Sequence, residues 1–414
     1  MFKGQTNSIS ALALSDDGDL LVTGSDDKFA RLWDFRSTNS ITTPKIVRGQ
    51  TSMPTAVALS IDNHWLVTGS QDNTACLWDL LGAPSATSQP IVLRGNTDAV
   101  IAVAISHDIR WVIAGSRDKT ACLWDMGTSD PKRLPVYLKG HINPVYTLGF
   151  SPNSRWCITA SSVEHQNWQT KLAVETAARL WDMRATNPAT NPILLQHHVN
   201  EISLVTFSPD SRWALTGGGK DGSVGIGGSF ACVWDLRSED PSAKPLVLSG
   251  HDMPVRAAAF SPDSRWVATG SEDRSARLWD LKDANPAAHP LVFKGHDGYI
   301  RAVCFSPDGR WLVTGCDDHY IRLWDLTAPD PTAKSIALNG HANAVAAVRV
   351  TRSGRWLTTV DRNGTACRWV LQIEDLLTLA RVTAGRNLST IEWNTFLPGQ
   401  PYFEVFPGLH IPKY

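Results

Sequence analysis

Residues 248–280 read Leu248-Ser249-Gly250-His251, a short spacer, Val255-Arg256-Ala257-Ala258-Ala259-Phe260, Ser261-Pro262-Asp263-Ser264, Trp266-Val267-Ala268-Thr269-Gly270-Ser271, Glu272-Asp273-Arg274 and Ser275-Ala276-Arg277-Leu278-Trp279-Asp280. Short apolar runs separated by Pro, Asp and charged turn residues predict three strands joined by two tight turns. The unit returns along the chain, closing each time on a tryptophan: Trp33, Trp78, Trp124, Trp181, Trp234, Trp279, Trp324 and Trp369. The steps are 45, 46, 57, 53, 45, 45 and 45 residues, and Asp follows all but the last, which reads Trp369-Val370. A second series, Trp65, Trp111, Trp156, Trp213, Trp266, Trp311 and Trp356, opens the middle strand of units two to eight. Together the two series use 15 of the 17 tryptophans. A fixed period near 45 residues marks a repeat array, so a length of 414 residues does not count domains.

Gly250-His251 with Trp279-Asp280, Gly295-His296 with Trp324-Asp325, and the Phe-Ser-Pro-Asp turns at 260–263 and 305–308 resemble the WD-repeat family. The resemblance covers residues 1 to about 370 and implies an all-β fold, an eight-bladed β-propeller of four-stranded antiparallel blades around a central channel. Seven blades is the alternative, should one terminal unit pack irregularly. A single 45-residue sheet cannot bury both its faces, so each blade must shield the next, and flat indoles suit that interface.

Composition narrows the function. With 39 basic and 40 acidic residues the formal charge is −1, which gives no overall field toward nucleic acid or anionic membrane. Neither a signal peptide nor a run of 18 apolar residues is present, so the expectation is a soluble, cytoplasmic protein. Four of the seven cysteines, Cys76, Cys122, Cys232 and Cys367, share one repeat position two residues before the terminal Trp, and no CxxC pair exists. They read as buried small apolar residues rather than disulfide or metal ligands. Arg31, Arg179, Arg277 and Arg322 take that position elsewhere, with stems able to lie along a neighbouring surface.

Each full unit is expected to carry a buried polar relay: His251, Thr269, Asp273 and Trp279 in unit six, and His296, Thr314, Asp318 and Trp324 in unit seven. The imidazole bridges carboxylate and hydroxyl, and the indole N–H finds an acceptor. Such a set resembles a catalytic triad, but its recurrence inside successive blades makes it structural. Other units depart from it. Gln5, Gln50 and Asn96 replace His in units one to three, Ala114 replaces Thr in unit three, and Asn363 replaces Asp in unit eight. Units four and five keep His141 and His198 without the regular Asp. In His197-His198 the first His stands in the usual Gly position, and no third residue has metal-ligand spacing. The expectation is therefore no enzyme, no cofactor and no metal.

Two departures point toward binding. From the relay Thr to the terminal Trp the separation is normally 10 residues, but it is 22 in unit four and 18 in unit five. In the family these loops share a face with the Gly-His loops, the face that most often meets partners, so adjacent insertions would build one raised feature. The first carries Glu164, His165, Trp168 and Lys171, with Trp168 either an interface anchor or folded onto its own blade. The second, residues 217–228, is glycine-rich with Lys220 and Asp221; it lacks the order of a phosphate loop and is not followed by a predicted helix. The residues preceding the relay Asp, Asp26, Gln71, Arg117, Glu272 and Asp317, with Arg362 before Asn363, form a ring of mixed sign on that face. Such a ring suits selective protein contact, not nucleic acid, although most of its members read as solvated.

At the ends, Met1-Phe2-Lys3-Gly4 aligns with Val292-Phe293-Lys294-Gly295, the tail of an outer strand that would close the ring. After residue 370 the period stops. Residues 373–382 have helical spacing, and Ser389-Thr390-Ile391-Glu392 is a capping box, so residues 371–414 are expected to form a short helical extension burying Leu376, Leu379 and Trp393 on the propeller. Arg386-Asn387-Leu388, Glu392-Trp393 and Pro398-Gly399-Gln400-Pro401-Tyr402 resemble the tail after WD-repeat arrays in bacterial multidomain proteins, including STAND-type ATPases and some Ser/Thr kinases. That likeness implies a bacterial sensor or scaffold, while no Walker loop or kinase catalytic loop is present. The expected function is a non-enzymatic scaffold that binds a protein or peptide through the relay face. The alternative is a sensor subunit acting with a separate ATPase, kinase or protease.

Overall fold

The computed structural model describes residues 9–36, 44–81, 89–128, 134–161, 177–198, 202–219 and 229–372. Every predicted unit folds into its own antiparallel sheet, eight in all, with strands in chain order from the channel outward. Blade six is representative: Val255–Phe260, Trp266–Ser271, Ala276–Asp280 and Leu291–Phe293. Seven sheets show four strands. The eighth shows three among the described residues, Val345–Val350, Trp356–Asp361 and Ala366–Val370. The proposed closing strand at residues 1–4 and the helical extension at 373–414 lie outside the described residues.

The ring closes with eight blades, not seven. Leu21, Trp33 and Phe35 of blade one pack with Val360 and Ala366 of blade eight. Arg368 spans the same seam, donating to the Asp19 carboxylate at 3.1 Å and to the Phe35 carbonyl at 3.3 Å. Elsewhere the cores also sit between blades: Ile158, Leu180 and Leu195 of blade four pack with Ala214, Cys232 and Trp234 of blade five. The terminal tryptophans are buried in blades one to seven, and each indole N–H donates to the Thr hydroxyl of its own second strand, blade three excepted. All seven cysteines are buried free thiols, and burial pushes Cys122 up to about 12.

The second tryptophan series serves the opposite end of each blade. Arg265 lies over the Trp266 ring at 4.9 Å while its guanidinium donates to Asp280 at 2.6 Å. Arg110, Arg155, Arg212 and Arg310 repeat the stack on Trp111, Trp156, Trp213 and Trp311. The Asp of the Trp-Asp pair therefore ties the end of the third strand to the start of the second.

Candidate functional site

The relays form as predicted in blades six and seven. His251 Nδ1 lies 2.7 Å from Asp273, its Nε2 lies 2.8 Å from Thr269, and Trp279 donates to the same hydroxyl at 2.9 Å. The ordering follows from donor chemistry: the indole N–H donates to Thr269 Oγ1, Thr269 O–H donates to Nε2, and Nδ1–H donates to the carboxylate. Burial alone would raise the Asp273 pKa, but the hydrogen bonds from His251 and Ser275 outweigh it and hold the carboxyl at about 2. His296 repeats the geometry with Asp318 at 2.8 Å and Thr314 at 2.8 Å. Cys316 lies close enough for His296, Cys316 and Asp318 to resemble a ligand set. Yet His296 and Asp318 already bond each other, and burial pushes the Cys316 thiol up to about 12, so Cys316 takes the part Ser271 plays in blade six. The imidazoles of both relays are buried, His251 and His296 alike.

In blade eight the structure corrects the assignment of Asn363. The carboxylate comes from Asp361, two positions earlier: His341 Nδ1 lies 3.2 Å from Asp361 and Nε2 lies 2.7 Å from Thr359. The relay of blade eight is therefore complete, because a side chain at the end of the second strand reaches the imidazole as well as one in the turn. In blade four, which lacks the Asp, Arg179 Nη1 sits 3.0 Å from His141 Nδ1 and Nη2 donates to the Gly140 carbonyl at 2.6 Å. Arg179, Arg277 and Arg322 do more than lay down a stem; they cover the loop glycine. A Cβ at Gly250, where φ is +142°, would stand 2.8 Å from Arg277 Nη1. In blade five no carboxylate among the described residues bonds His198, which stacks on Phe230 at 5.4 Å and is lowered to about 4 by burial and by His197.

The loop ends that carry these relays form one face of the ring. Each innermost strand enters it through a bulge: Val255 faces Ser271 and Ala257 faces Gly270, leaving Arg256 as the extra residue. The same irregularity lies between Ile300 and Ala302, leaving Arg301, and in all the other blades. A bulge re-aims its extra side chain, and here it brings Arg256 Nε to Glu272 at 2.8 Å and Arg301 to Asp317 at 2.9 Å and Glu272 at 3.5 Å. Glu272, expected as a partner-binding residue displayed on this face, is only 6% exposed between two arginines of adjacent blades. Asp317 is likewise ion-paired, whereas Arg117 is exposed, its backbone N–H bonded to the Ala99 carbonyl at 2.9 Å. Glu164, His165, Trp168, Lys171, Lys220 and Asp221 lie outside the described residues.

Sequence reasoning missed the arginines and two tyrosines beside them. Tyr299 is 36% exposed with Arg301 at 5.1 Å from its ring centre, and Tyr320 is 37% exposed. Both flank the Asp317-Asp318 turn: the Asp317 N–H bonds the Tyr299 carbonyl, and the Tyr320 N–H bonds Asp318. The available signal was the residue after the first apolar position of each unit, where Arg256 and Arg301 replace Ser10, Thr55, Ile101, Tyr146, Ser203 and Ala346.

Eight sheets, interblade cores and a repeated His-Thr-Trp relay define an eight-bladed β-propeller built from one repeated unit. The chain belongs to the WD domain, G-beta repeat family, which it matches over residues 1–34, 42–79, 88–125, 132–164, 191–226, 243–280, 289–325 and 333–369. It is 28% identical over 152 residues to nuclear distribution protein PAC1 of Arthroderma benhamiae, covering 34% of this chain and 30% of that protein. It is 37% identical over 75 residues to ribosome biogenesis protein YTM1 of Pyricularia oryzae, covering 17% of this chain and 14% of that one. The matched segments thus span a third or less of these fungal relatives. The computationally designed Ika8 protein has a TM-score of 0.65 at 23% identity over 89% of this chain and 98% of its own, a likeness of fold. Among the described residues no helix is long and apolar enough to cross a membrane.

Proposed function

We propose that the protein is a non-enzymatic scaffold that recognises a protein or peptide partner through the relay face. The observation that carries this reading is the fixed cluster at blades six and seven: Arg256, Glu272, Arg301 and Asp317 held in one network, with Tyr299 and Tyr320 exposed beside it. Interface energy concentrates in Tyr, Trp and Arg side chains held in place before binding. In the same reading Glu164, His165, Trp168 and Lys171 of the blade-four insertion, Lys220 and Asp221 of the blade-five insertion, and Arg117 of blade three contribute to partner contact. The names of the fungal relatives, which refer to nuclear distribution and ribosome biogenesis, are those of proteins acting within larger processes and support a scaffold role in general.

A bacterial, cytoplasmic sensor subunit acting with a separate ATPase, kinase or protease is the second reading, resting on the tail motif at residues 386–402. Affinity capture with quantitative mass spectrometry tests both. Arg301→Ala and Trp168→Ala are expected to deplete the captured partner while leaving the melting temperature close to wild type. An unchanged partner set in both variants refutes the relay-face reading, and an ATPase, kinase or protease among the depleted proteins selects the second.

A further inference from the structure

A second surface lies at the opposite end of the blades, where the Ser-Pro-Asp turns face out, and it is independent of the relay-face reading. Between blades six and seven a pocket of about 590 Å³ opens there. Trp266, Leu278 and Leu291 of blade six form one wall, and Phe305 and Leu326 of blade seven form the other. Leu291 remains 37% exposed.

The turns at this seam also differ from those of the three preceding seams. In blades four, five and six the left-handed turn position is a serine whose hydroxyl receives a backbone N–H from the preceding blade: Asp108 to Ser154 at 2.9 Å, Asn153 to Ser211 at 2.9 Å, Asp210 to Ser264 at 3.2 Å. In blade seven that position is Gly309, with φ +71°, and a Cβ placed there meets nothing within 4 Å. The lacing of turn to turn therefore stops at the pocket.

The rim is acidic. Asp263 and Asp308 each use Oδ1 to accept from their own turn's Ser hydroxyl and Arg backbone N–H, leaving each Oδ2 without a hydrogen-bond partner among the described residues. The nearby guanidinium groups of Arg265 and Arg310 are already committed to Asp280 and Asp325 at 2.6 and 2.8 Å. The corresponding groove between blades three and four mixes charge, since Arg110, Lys139 and Arg184 line it together with Asp108 and Asp125.

We propose that the slot between blades six and seven binds a peptide segment with a large apolar side chain flanked by Lys or Arg. The apolar residue enters between Trp266 and Phe305, and the flanking cations meet Asp263 and Asp308.

Fluorescence anisotropy on the full chain tests this, using labelled peptides with a central Leu flanked on both sides by two Lys, two Gln or two Glu. At low salt the Lys-flanked peptide is expected to bind at least tenfold more tightly than the Glu-flanked one, with the gap narrowing as ionic strength rises. Leu291→Lys should weaken Lys-flanked binding at least tenfold. The double variant Asp263→Asn, Asp308→Asn should lower it to the level of the Gln-flanked peptide; Asn153 already occupies this turn position in blade four, so the fold tolerates the change. Gly309→Ser should narrow the slot and weaken all three peptides, while Arg301→Ala on the relay face should change none. Equal affinity for Lys- and Glu-flanked peptides, absence of binding, or binding unaffected by Leu291→Lys overturns the proposal. A dimer in sedimentation velocity that Leu291→Lys dissolves overturns it as well, assigning the slot to a second copy of the chain.

Discussion

Blade three lacks the hydroxyl that the other seven blades supply to the terminal indole. Ala114 occupies the relay Thr position, facing Cys122 as Thr68 faces Cys76 and Thr359 faces Cys367. Trp124 Nε1 and both amide atoms of Asn96 are buried with no hydrogen-bond partner among the described residues. In the other seven blades the indole-to-hydroxyl distance is 2.8–3.2 Å, so Ala114→Thr should place its Oγ1 within bonding reach of Trp124. Satisfying one buried orphan donor is worth about 1–2 kcal/mol. For a unit of roughly 370 residues that unfolds cooperatively, this raises Tm by about 1–3 °C. Adding Asn96→His rebuilds the relay, because Asp118 is already placed, its Oδ2 accepting the Thr97 N–H at 2.7 Å as Asp273 Oδ2 accepts the Asp252 N–H at 3.2 Å. The two changes touch one network, so the double variant should exceed the sum of the singles by about 0.5 kcal/mol or more. Urea unfolding followed by tryptophan fluorescence, with calorimetry for Tm, measures all four corners of the cycle. A neutral or destabilising Ala114→Thr, or strict additivity with Asn96→His, refutes the claim that these relays are coupled polar networks whose hydroxyl the indole requires.

Trp279→Ala removes a fully buried indole and its hydrogen bond and should cost about 3–5 kcal/mol by urea unfolding. His198 is held below its unfolded pKa, so the folded state resists protonation. The stability this group contributes is complete above about pH 6.5 and declines as pH falls toward about 4, and His198→Gln should flatten that part of the stability-pH curve. His341 has the opposite sign: burial lowers it, but Asp361 and Cys367 outweigh burial and raise it to about 9. Its contribution is complete below about pH 6.5 and is lost as pH rises through 9, and Asp361→Asn should abolish that alkaline loss. Ser211→Gly should break the lacing between the turns of blades four and five and lower stability by about 0.5–1.5 kcal/mol in the same urea assay.

Blade number, strand order and the relays of blades six and seven were legible in the sequence because each rests on local chemistry repeated at a fixed interval. A Trp two residues after Cys or Arg, a Ser-Pro-Asp turn and a Thr at the strand centre each announce one position. What the sequence hid were choices made between elements. Asp361 was overlooked because the relay carboxylate was expected at a fixed place in the turn, whereas the imidazole requires only an oxygen near Nδ1, and the strand end supplies one from two residues earlier. Glu272 looked like a displayed contact residue because its neighbours in sequence are polar; its burial comes from Arg256 and Arg301, one of them on the next blade, and no single repeat records both. The pocket is likewise a property of a seam. Its walls come from Trp266, Leu278 and Leu291 on one blade and from Phe305 and Leu326 on the next, so neither repeat alone records it. In a ring of near-identical units, the fold is written within each repeat, while recognition surfaces arise at the seams, where one repeat departs from its neighbour.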